Sequence, residues 1–250
     1  MASDSDQDGF DFEEMFEEPA DFRPAPPPEK LVVFERVGAG SPAAIKINLL
    51  GTHPLWGHHL WNAAKVFATY LDMHPDVVAN KTVLELGAAG ALPSMIAAAN
   101  HARHVVITDY PDADLLQNIR TTCGLNFPQS ESLVVAGHRW GHEIDKIRAL
   151  NHGEKYDVLI LCDLVFNHSE HPGLLRSVIE LMAENGRAYV FFTHHRPWLV
   201  AQDLAFLDRA KENGLKCERV VEEYTGAMFE DDPGDERVRG TVHGFELSFA

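Results

Sequence analysis

Apolar positions recur along this chain with two different periods, and the change of period divides it. Leu31–Arg36 and Ile45–Leu50 are short strand-like runs on either side of Val37-Gly38-Ala39-Gly40-Ser41-Pro42, which is turn chemistry. The pair predicts a β-hairpin. An irregular loop, Gly51-Thr52-His53-Pro54-Leu55-Trp56-Gly57, comes next. His59–Asp72 then places Leu60, Ala63, Ala64, Phe67 and Leu71 on one face at helical spacing. From Lys81 onward short apolar strands alternate with helical segments. The strands are Thr82–Leu86, Val105–Thr108, Leu133–Val135, Asp157–Cys162 and Ala188–Thr193. The helices cover about Leu92–Asn100, Asp112–Cys123, Gly173–Ala183 and Leu199–Asn213, and the chain closes with strands Leu215–Glu222 and Thr241–Phe249. This alternation predicts an α/β fold with a doubly wound parallel sheet. Such sheets bind ligands outside the carboxyl ends of their strands, where strand order reverses.

Charge changes the picture at the N-terminus. Residues 1–30 hold ten acids and two bases, so they carry −8 of the chain's −17. With Pro19, Pro24 and Pro26-Pro27-Pro28, residues 1–29 read as an acidic disordered tail and 30–250 as the folded domain. Phe10, Phe12, Met15 and Phe16 have the spacing of a short docking helix within the tail. A net charge of −17 argues against a nucleic-acid partner. No run approaches the ~20 apolar residues of a membrane span, and the acidic start is not a signal peptide. Three scattered cysteines (Cys123, Cys162, Cys217) suit reduced thiols and a cytoplasmic setting. A monomer is expected.

Three features carry chemistry. The strand Val83–Leu86 runs into Gly87-Ala88-Ala89-Gly90, small residues that let a ligand approach the backbone. The same turn can serve only to pack helix on sheet, and it departs from G-x-G-x-x-G at Ala89 and Leu92. Asp109 ends the next strand, where a carboxylate can accept bonds from two ribose hydroxyls. Asp109 or Asp112 could equally be a helix cap. Asp163 ends the fourth strand of the alternating region, within Cys162-Asp163-Leu164-Val165-Phe166-Asn167, and places an acid and an amide where a reaction centre belongs. Its bland alternative is a capped turn.

Taken together, Gly51–Trp61, Val83–Pro93, Val105–Asp112, Gly137–Gly141 and Asp157–His171 resemble the seven-β-strand, S-adenosylmethionine-dependent protein methyltransferases of the lysine-methyltransferase-like family. The shared pieces are Pro54–Gly57, Leu84–Ala89, Thr108–Asp112, Asp163–His168, and Met228-Phe229-Glu230 through Asp235. The likeness spans about Leu31–Phe249. It implies a Rossmann-like, seven-stranded sheet, mostly parallel with an antiparallel last strand, beside the hairpin. It implies S-adenosyl-L-methionine as cofactor. The branch most alike is fungal, once described as nicotinamide N-methyltransferases, and implies translation elongation factor 1-alpha as protein substrate. Its target there would be the N-terminal α-amine and a neighbouring lysine. By the same resemblance Trp56 lines the pocket near the methionine end, and Gly87, Ala88 and Ala89 present backbone to the amino-acid portion. Asp109 holds the ribose, Trp140 packs on adenine, and Cys162 touches the cofactor through its backbone. Asp163 sits beside the transferred methyl, flanked by Phe166 and Asn167. Many relatives have Asp-x-x-Tyr where this chain has Asp163-Leu164-Val165-Phe166. A phenol hydroxyl is therefore lost, while an aromatic wall for a cation remains.

Other readings compete for the same residues. His58-His59, His138/His142, His168/His171 and His194-His195 invite a metal, but none has H-E-x-x-H or a cysteine pair at ligand spacing. They read as solvated or capping histidines. No G-x-S-x-G elbow supports a hydrolase. Trp61 and Trp198 read as core. A small amine such as nicotinamide, an NAD-dependent oxidoreductase and a non-catalytic module remain as alternatives. The acidic stretch Glu230–Glu236 is either a solvated loop or a negative rim that attracts a basic peptide.

Overall fold

In the computed structural model, which describes residues 27–38 and 40–250, the change of sequence period becomes a change of sheet. The expected docking helix, and most of the expected disordered tail, fall outside the described residues. Strands β1 (Lys30–Glu35) and β2 (Ala44–Leu49) pair antiparallel as the hairpin. Helix α1 (Asn62–Met73) follows, then β3 (Thr82–Leu86), α2 (Leu92–Ala99), β4 (His104–Asp109), α3 (Ala113–Asn126) and β5 (Leu133–Gly137). Next come α4 (Ile144–Ala149), β6 (Tyr156–Cys162), α5 (His171–Leu181), β7 (Met182–Thr193), α6 (Val200–Glu212), β8 (Leu215–Tyr224), α7 (Glu236–Gly240) and β9 (Thr241–Phe249).

The main sheet has seven strands in the order β5-β4-β3-β6-β7-β9-β8. Only β9 runs against its neighbours β7 and β8. The chain winds outward from β3 through β4 to β5, then returns to start β6 beside β3. Strand order therefore reverses between β3 and β6, and their carboxyl ends flank the crevice that such a reversal opens.

Alternation within each strand builds two cores. Val83, Val105, Ile107, Val158 and Ile160 face a layer that includes Phe67, Leu71, Met95 and Ile119 from α1, α2 and α3. Leu84, Leu86, Val106, Leu159 and Leu161 face Ile147, Leu174, Val178 and Phe206 from α4, α5 and α6. All five residues of β3 are buried, as expected of a central parallel strand covered on both sides. The hairpin joins the first layer through Ile45, Ile47 and Leu49. Among the described residues no helix is long and apolar enough to cross a membrane.

The structure departs from the sequence reading mainly at short elements. Helices α4 and α7 are additions; at six and five residues they are too short to show a full apolar stripe. Helix α5 ends at Leu181 instead of Ala183, because Met182 pairs with Tyr156. The ladder then skips to Arg187 opposite Val158, leaving Glu184-Asn185-Gly186 as an irregularity within β7. Asn185-Gly186 thus lies in a bulge inside a strand.

Candidate active site

The β3–α2 turn is wound tightly. Gly87, Ala89 and Ala91 all take positive φ, at +61°, +47° and +60°. For alanine this costs on the order of 1 kcal/mol, so the surroundings must hold the turn. They do so from β4. The Ala88 N–H donates to the Thr108 carbonyl at 3.0 Å. The Ala89 N–H donates to Oδ2 of Asp109 at 2.7 Å, and the Tyr110 N–H to its Oδ1 at 2.7 Å. Asp109 is thus turned toward the small-residue turn, with one amide on each oxygen and further lone pairs available. Burial pushes its carboxyl up, against the two amides and nearby His53, which pull it down. Asp112, by contrast, caps α3 through the N–H groups of Asp114 and Leu115. Of the two acids that the sequence offered as a helix cap, Asp112 is the one that caps.

Gly90 corrects part of the ligand reading. A Cβ there would lie 2.7 Å from Cγ2 of Ile47. Glycine at that position admits the hairpin, not a ligand. A Cβ on Gly87 would meet Cδ2 of Leu164 at 2.6 Å and Cζ2 of Trp140 at 3.3 Å. This contact brings Trp140, from the loop after β5, to the carboxyl end of β3. The loop is pinned from α5: Ser177 Oγ accepts from the Gly141 N–H at 2.8 Å and lies 2.9 Å from Nε2 of buried His138. Cys162 ends β6 with its thiol buried and pushed well above the ordinary value by burial first and by Glu85 and Asp163 next.

Asp163 lies at the reversal point, 4% exposed and with φ +52°. Its N–H donates to the Phe191 carbonyl at 2.8 Å. Its Oδ1 accepts from the Thr193 N–H at 2.9 Å and faces Nε2 of His195 at 3.2 Å. Its Oδ2 is buried with no hydrogen-bond partner among the described residues. A buried carboxylate oxygen without a protein partner is costly, and a catalytic role, a water or an ion is what accounts for such groups in proteins. Phe166 is half-buried, its carbonyl accepting from Arg196 at 3.2 Å. Asn167 is also half-buried; its Oδ1 accepts from Ser169 Oγ at 3.1 Å, and its amide hydrogens have no partner among the described residues.

An aromatic chain crosses from the 51–59 loop to Asp163. Trp56 (φ +61°, half exposed) stacks with His58 and His59 at 6.2 and 6.3 Å between ring centres. His59 meets Phe229 at 5.2 Å and Trp61 at 5.4 Å. Trp61 meets His195 edge-on at 5.0 Å. Trp61 is therefore beside the site, not in the core, and Trp198 is 61% exposed, which overturns its core reading as well. His195 and Phe229 are the neighbours of the site that sequence reasoning missed. Contacts across more than thirty residues carry no local signal, although Phe229 lies in the motif shared with relatives.

Several histidines are also internal, against the expectation of solvated or capping roles. Asp203, 4% exposed, accepts from Nδ1 of His194 at 2.7 Å and from Nε2 of His168 at 2.6 Å. Nε2 of buried His171 donates to the Val165 carbonyl at 2.7 Å. These bonds fix the loops after β6 and β7 on either side of Asp163. A hollow of about 870 Å³ lies elsewhere. Thr82, His104 and Asp157 place it at the amino ends of the strands, and Arg103, Arg148, Glu131 and Glu184 give it mixed charge. Geometry at the strand carboxyl ends, not volume, identifies the site.

The donor set fits an adenosyl ligand. Asp109 offers acceptors for a pair of hydroxyls, the 87–89 turn offers backbone, Trp140 an aromatic face, and Asp163 an unpaired oxygen. A family model described as lysine methyltransferase matches residues 45–213. A Schizosaccharomyces pombe protein named protein N-terminal and lysine N-methyltransferase is 42% identical over 252 residues, covering 98% of each chain. A Candida glabrata protein of the same name is 42% identical over 244 residues, 94% of this chain and 95% of its own. Among solved structures, P. horikoshii TYW2 in complex with MeSAdo aligns with TM-score 0.55 and 13% identity, over 88% of this chain and 72% of that one. The ribosomal protein L11 methylase of Lactobacillus delbrueckii aligns with TM-score 0.51 and 13% identity, over 75% and 77%. These two likenesses are of fold.

Proposed function

The chain belongs to the lysine methyltransferase family and is an S-adenosylmethionine-dependent methyltransferase; from that premise we propose that it methylates the N-terminal α-amine and a nearby lysine of translation elongation factor 1-alpha. Two relatives matched over nearly their full length carry both target types in their names. The observation that carries the site assignment is the buried, unpaired Oδ2 of Asp163 at the point where strand order reverses.

When bound, the cofactor supplies a methyl carbon activated by a sulfonium. The chain's residues do the rest. Asp109 holds the ribose, Trp140 covers the adenine, and Trp56 closes the methionine end. The Gly87–Ala89 backbone receives the amino-acid portion, with Cys162 contributing backbone alone. Asp163 Oδ2 accepts a hydrogen from the incoming amine and fixes its direction of attack. Phe166, Trp61 and Phe229 form apolar and aromatic walls that exclude water and align the amine. The amide hydrogens of Asn167 suit a substrate carbonyl. An α-amine has a pKa of about 8 and a lysine about 10.4, so the lysine needs more help to lose its proton. All of these groups come from one chain, which suits a monomer. Three free thiols suit the cytoplasm, and a charge of −17 suits a basic protein target over a nucleic acid.

The test is intact-mass analysis of elongation factor 1-alpha from cells with and without this protein. Methyl increments at the N-terminus and at a nearby lysine should vanish with the gene and return with it. Unchanged masses, with labelled methyl appearing instead on nicotinamide, would move the enzyme to the small-amine class.

A further inference from the structure

We propose that Asn118, backed by Asn48 of the hairpin, is a positioning residue for the cofactor: the two asparagines fix the Ala89 peptide of the β3–α2 turn and so set how tightly the cofactor is held. This rests on the reading of that turn as the cofactor's, given above, and adds what holds the turn apart from Asp109.

Three polar side chains, each one helical turn from the next, run along α3 beside β2. Asn126 accepts from the Lys46 N–H at 2.9 Å and donates to the Lys46 carbonyl at 2.7 Å. Thr122 Oγ1 accepts from the Asn48 N–H at 3.1 Å. Asn118, 2% exposed, is bound differently. Its Oδ1 accepts from Nδ2 of the Asn48 side chain at 3.0 Å, and its Nδ2 donates to the Ala89 carbonyl at 3.3 Å.

The direction of these bonds is forced from both ends. Nδ2 of Asn48 also faces Oε2 of Glu29, at 2.9 Å. A carboxylate can only accept, so Asn48 must turn its NH2 group to Glu29 and to Asn118. Asn118 therefore presents its oxygen to Asn48, which leaves its own NH2 group for the Ala89 carbonyl, another obligate acceptor. Flipping either amide would set two acceptors or two donors against each other.

Ala89 is left-handed, at φ +47°, and its N–H is bound to Asp109. A residue tied only through its N–H keeps the freedom to rotate the peptide that follows. Asn118 takes up the carbonyl of that peptide, so Ala89 is fixed on both sides. The next residue, Gly90, is enclosed by β2: a Cβ there would lie 2.7 Å from Ile47 and 3.1 Å from Leu49. Ile47, Asn48 and Leu49 thus bear together on the turn. Loss of the Asn118 amide would deprive the Ala89 carbonyl of its described side-chain partner. The turn would then have more conformations to give up when a cofactor binds.

The test measures S-adenosylhomocysteine binding to the full chain by calorimetry, for wild type, Asn118→Asp, Asn48→Leu, the double variant and Asp109→Ala. Aspartate at 118 has the size of asparagine and still accepts from Asn48, but it sets an oxygen against the Ala89 carbonyl. Affinity should fall about tenfold in Asn118→Asp and about threefold in Asn48→Leu. The double variant should bind about as weakly as Asn118→Asp alone, because Asn48 acts only through Asn118. On a peptide copying the amino terminus of elongation factor 1-alpha, the KM for S-adenosylmethionine should rise in step. Both kcat and the KM for the peptide should stay within about twofold. A lowered melting temperature with unchanged affinity, additive losses in the double variant, or a fall in kcat at saturating cofactor overturns the positioning role. Asp109→Ala tells which premise has failed. If it alone weakens binding, the role of the asparagines falls and the cofactor site stands. If neither it nor Asn118→Asp does, the turn is not the cofactor's and both fall.

Discussion

Asp109, half-buried, and Asp163, buried, are both strand-end acids, yet their bonding separates what their loss should do. Asp109 holds the β3–α2 turn through Ala89, and the proposed function gives its remaining lone pairs to the ribose. Asp109→Ala should weaken S-adenosylhomocysteine binding about 10–100-fold by calorimetry, the cost of losing bonds to a charged group. The proposed function sets the unpaired oxygen of Asp163 against the incoming amine, so Asp163→Ala should cut kcat about 100-fold or more while cofactor affinity changes only a few-fold. Equal losses in both parameters would place Asp163 among the binding residues. Glu85, in the middle of β3, is a third acid with a different fate. It is 2% exposed, its only described side-chain partner is Ser94 on α2, and burial pushes its carboxyl up to about 8 despite that bonding. A carboxyl whose pKa is higher folded than unfolded binds its proton more tightly in the native state. Its contribution to stability is full below the unfolded value of about 4.5 and is lost as pH rises through about 8. The loss is on the order of a few kcal/mol. Glu85→Gln keeps the contact to Ser94 without titrating. The melting temperature of the wild type should therefore fall relative to Glu85→Gln between pH 5 and 8.5, and parallel curves would show that Glu85 is not protonated in the fold.

At the scale of elements, the adenine side of the site depends on how closely the loop after β5 approaches α5. Gly173, in the first turn of α5, would place a Cβ 2.9 Å from the Trp140 carbonyl oxygen and 3.3 Å from its carbon. Alanine there gains about 1 kcal/mol of helix propensity. It also forces backbone to move, at about 1–3 kcal/mol. The second effect should win: Gly173→Ala should lower stability by about 1 kcal/mol in urea titrations and weaken cofactor binding, because Trp140 moves with its carbonyl. An increase in stability would show that the loop yields freely. The same contact shows what a sequence can reveal. The strand–turn–helix from Thr82 to Ala99 was legible because a short, mainly apolar strand, small turn residues and a proline at the helix start agree locally. Asp109 and Asp163 were legible because strand ends point to one edge of a parallel sheet. Helix α4 was not legible, since six residues show no period. Trp61 was misread because helical spacing reports which face is apolar, not whether that face meets the core or a crevice. His195 and Phe229 were missed because tertiary packing alone brings His195 to Asp163 and Phe229 to Trp61, from loops more than thirty residues further along the chain.

For the whole molecule, charge is the dominant long-range property, and its placement bears on how a substrate arrives. Phe229 anchors the 226–235 loop against His59 and Trp61, so the acids that follow it in sequence are held at the mouth of the site. Glu230, Asp231 and Asp232 are exposed, and Asp232 is near enough to raise the basicity of His195. Asp235 has a separate task, capping α7 through the N–H groups of Arg237 and Val238, and Glu236 accepts from the Tyr224 hydroxyl. A test of the rim should therefore leave Asp235 and Glu236 alone for the fold and Asp232 alone for the histidine. The double reversal Glu230→Lys and Asp231→Lys changes the local charge by about four units without touching a described hydrogen bond. A field of that size acts on encounter with a basic peptide, and salt screens it over a Debye length of about 10 Å at 0.1 M. For a lysine-bearing protein substrate, kcat/KM should fall about tenfold at low salt and converge on the wild-type value near 0.5 M salt, with kcat unchanged throughout. A loss that persists at high salt would instead mean that these side chains touch the substrate. No loss at low salt would leave the loop's acids as solvating groups and assign the loop's part in the site to Phe229.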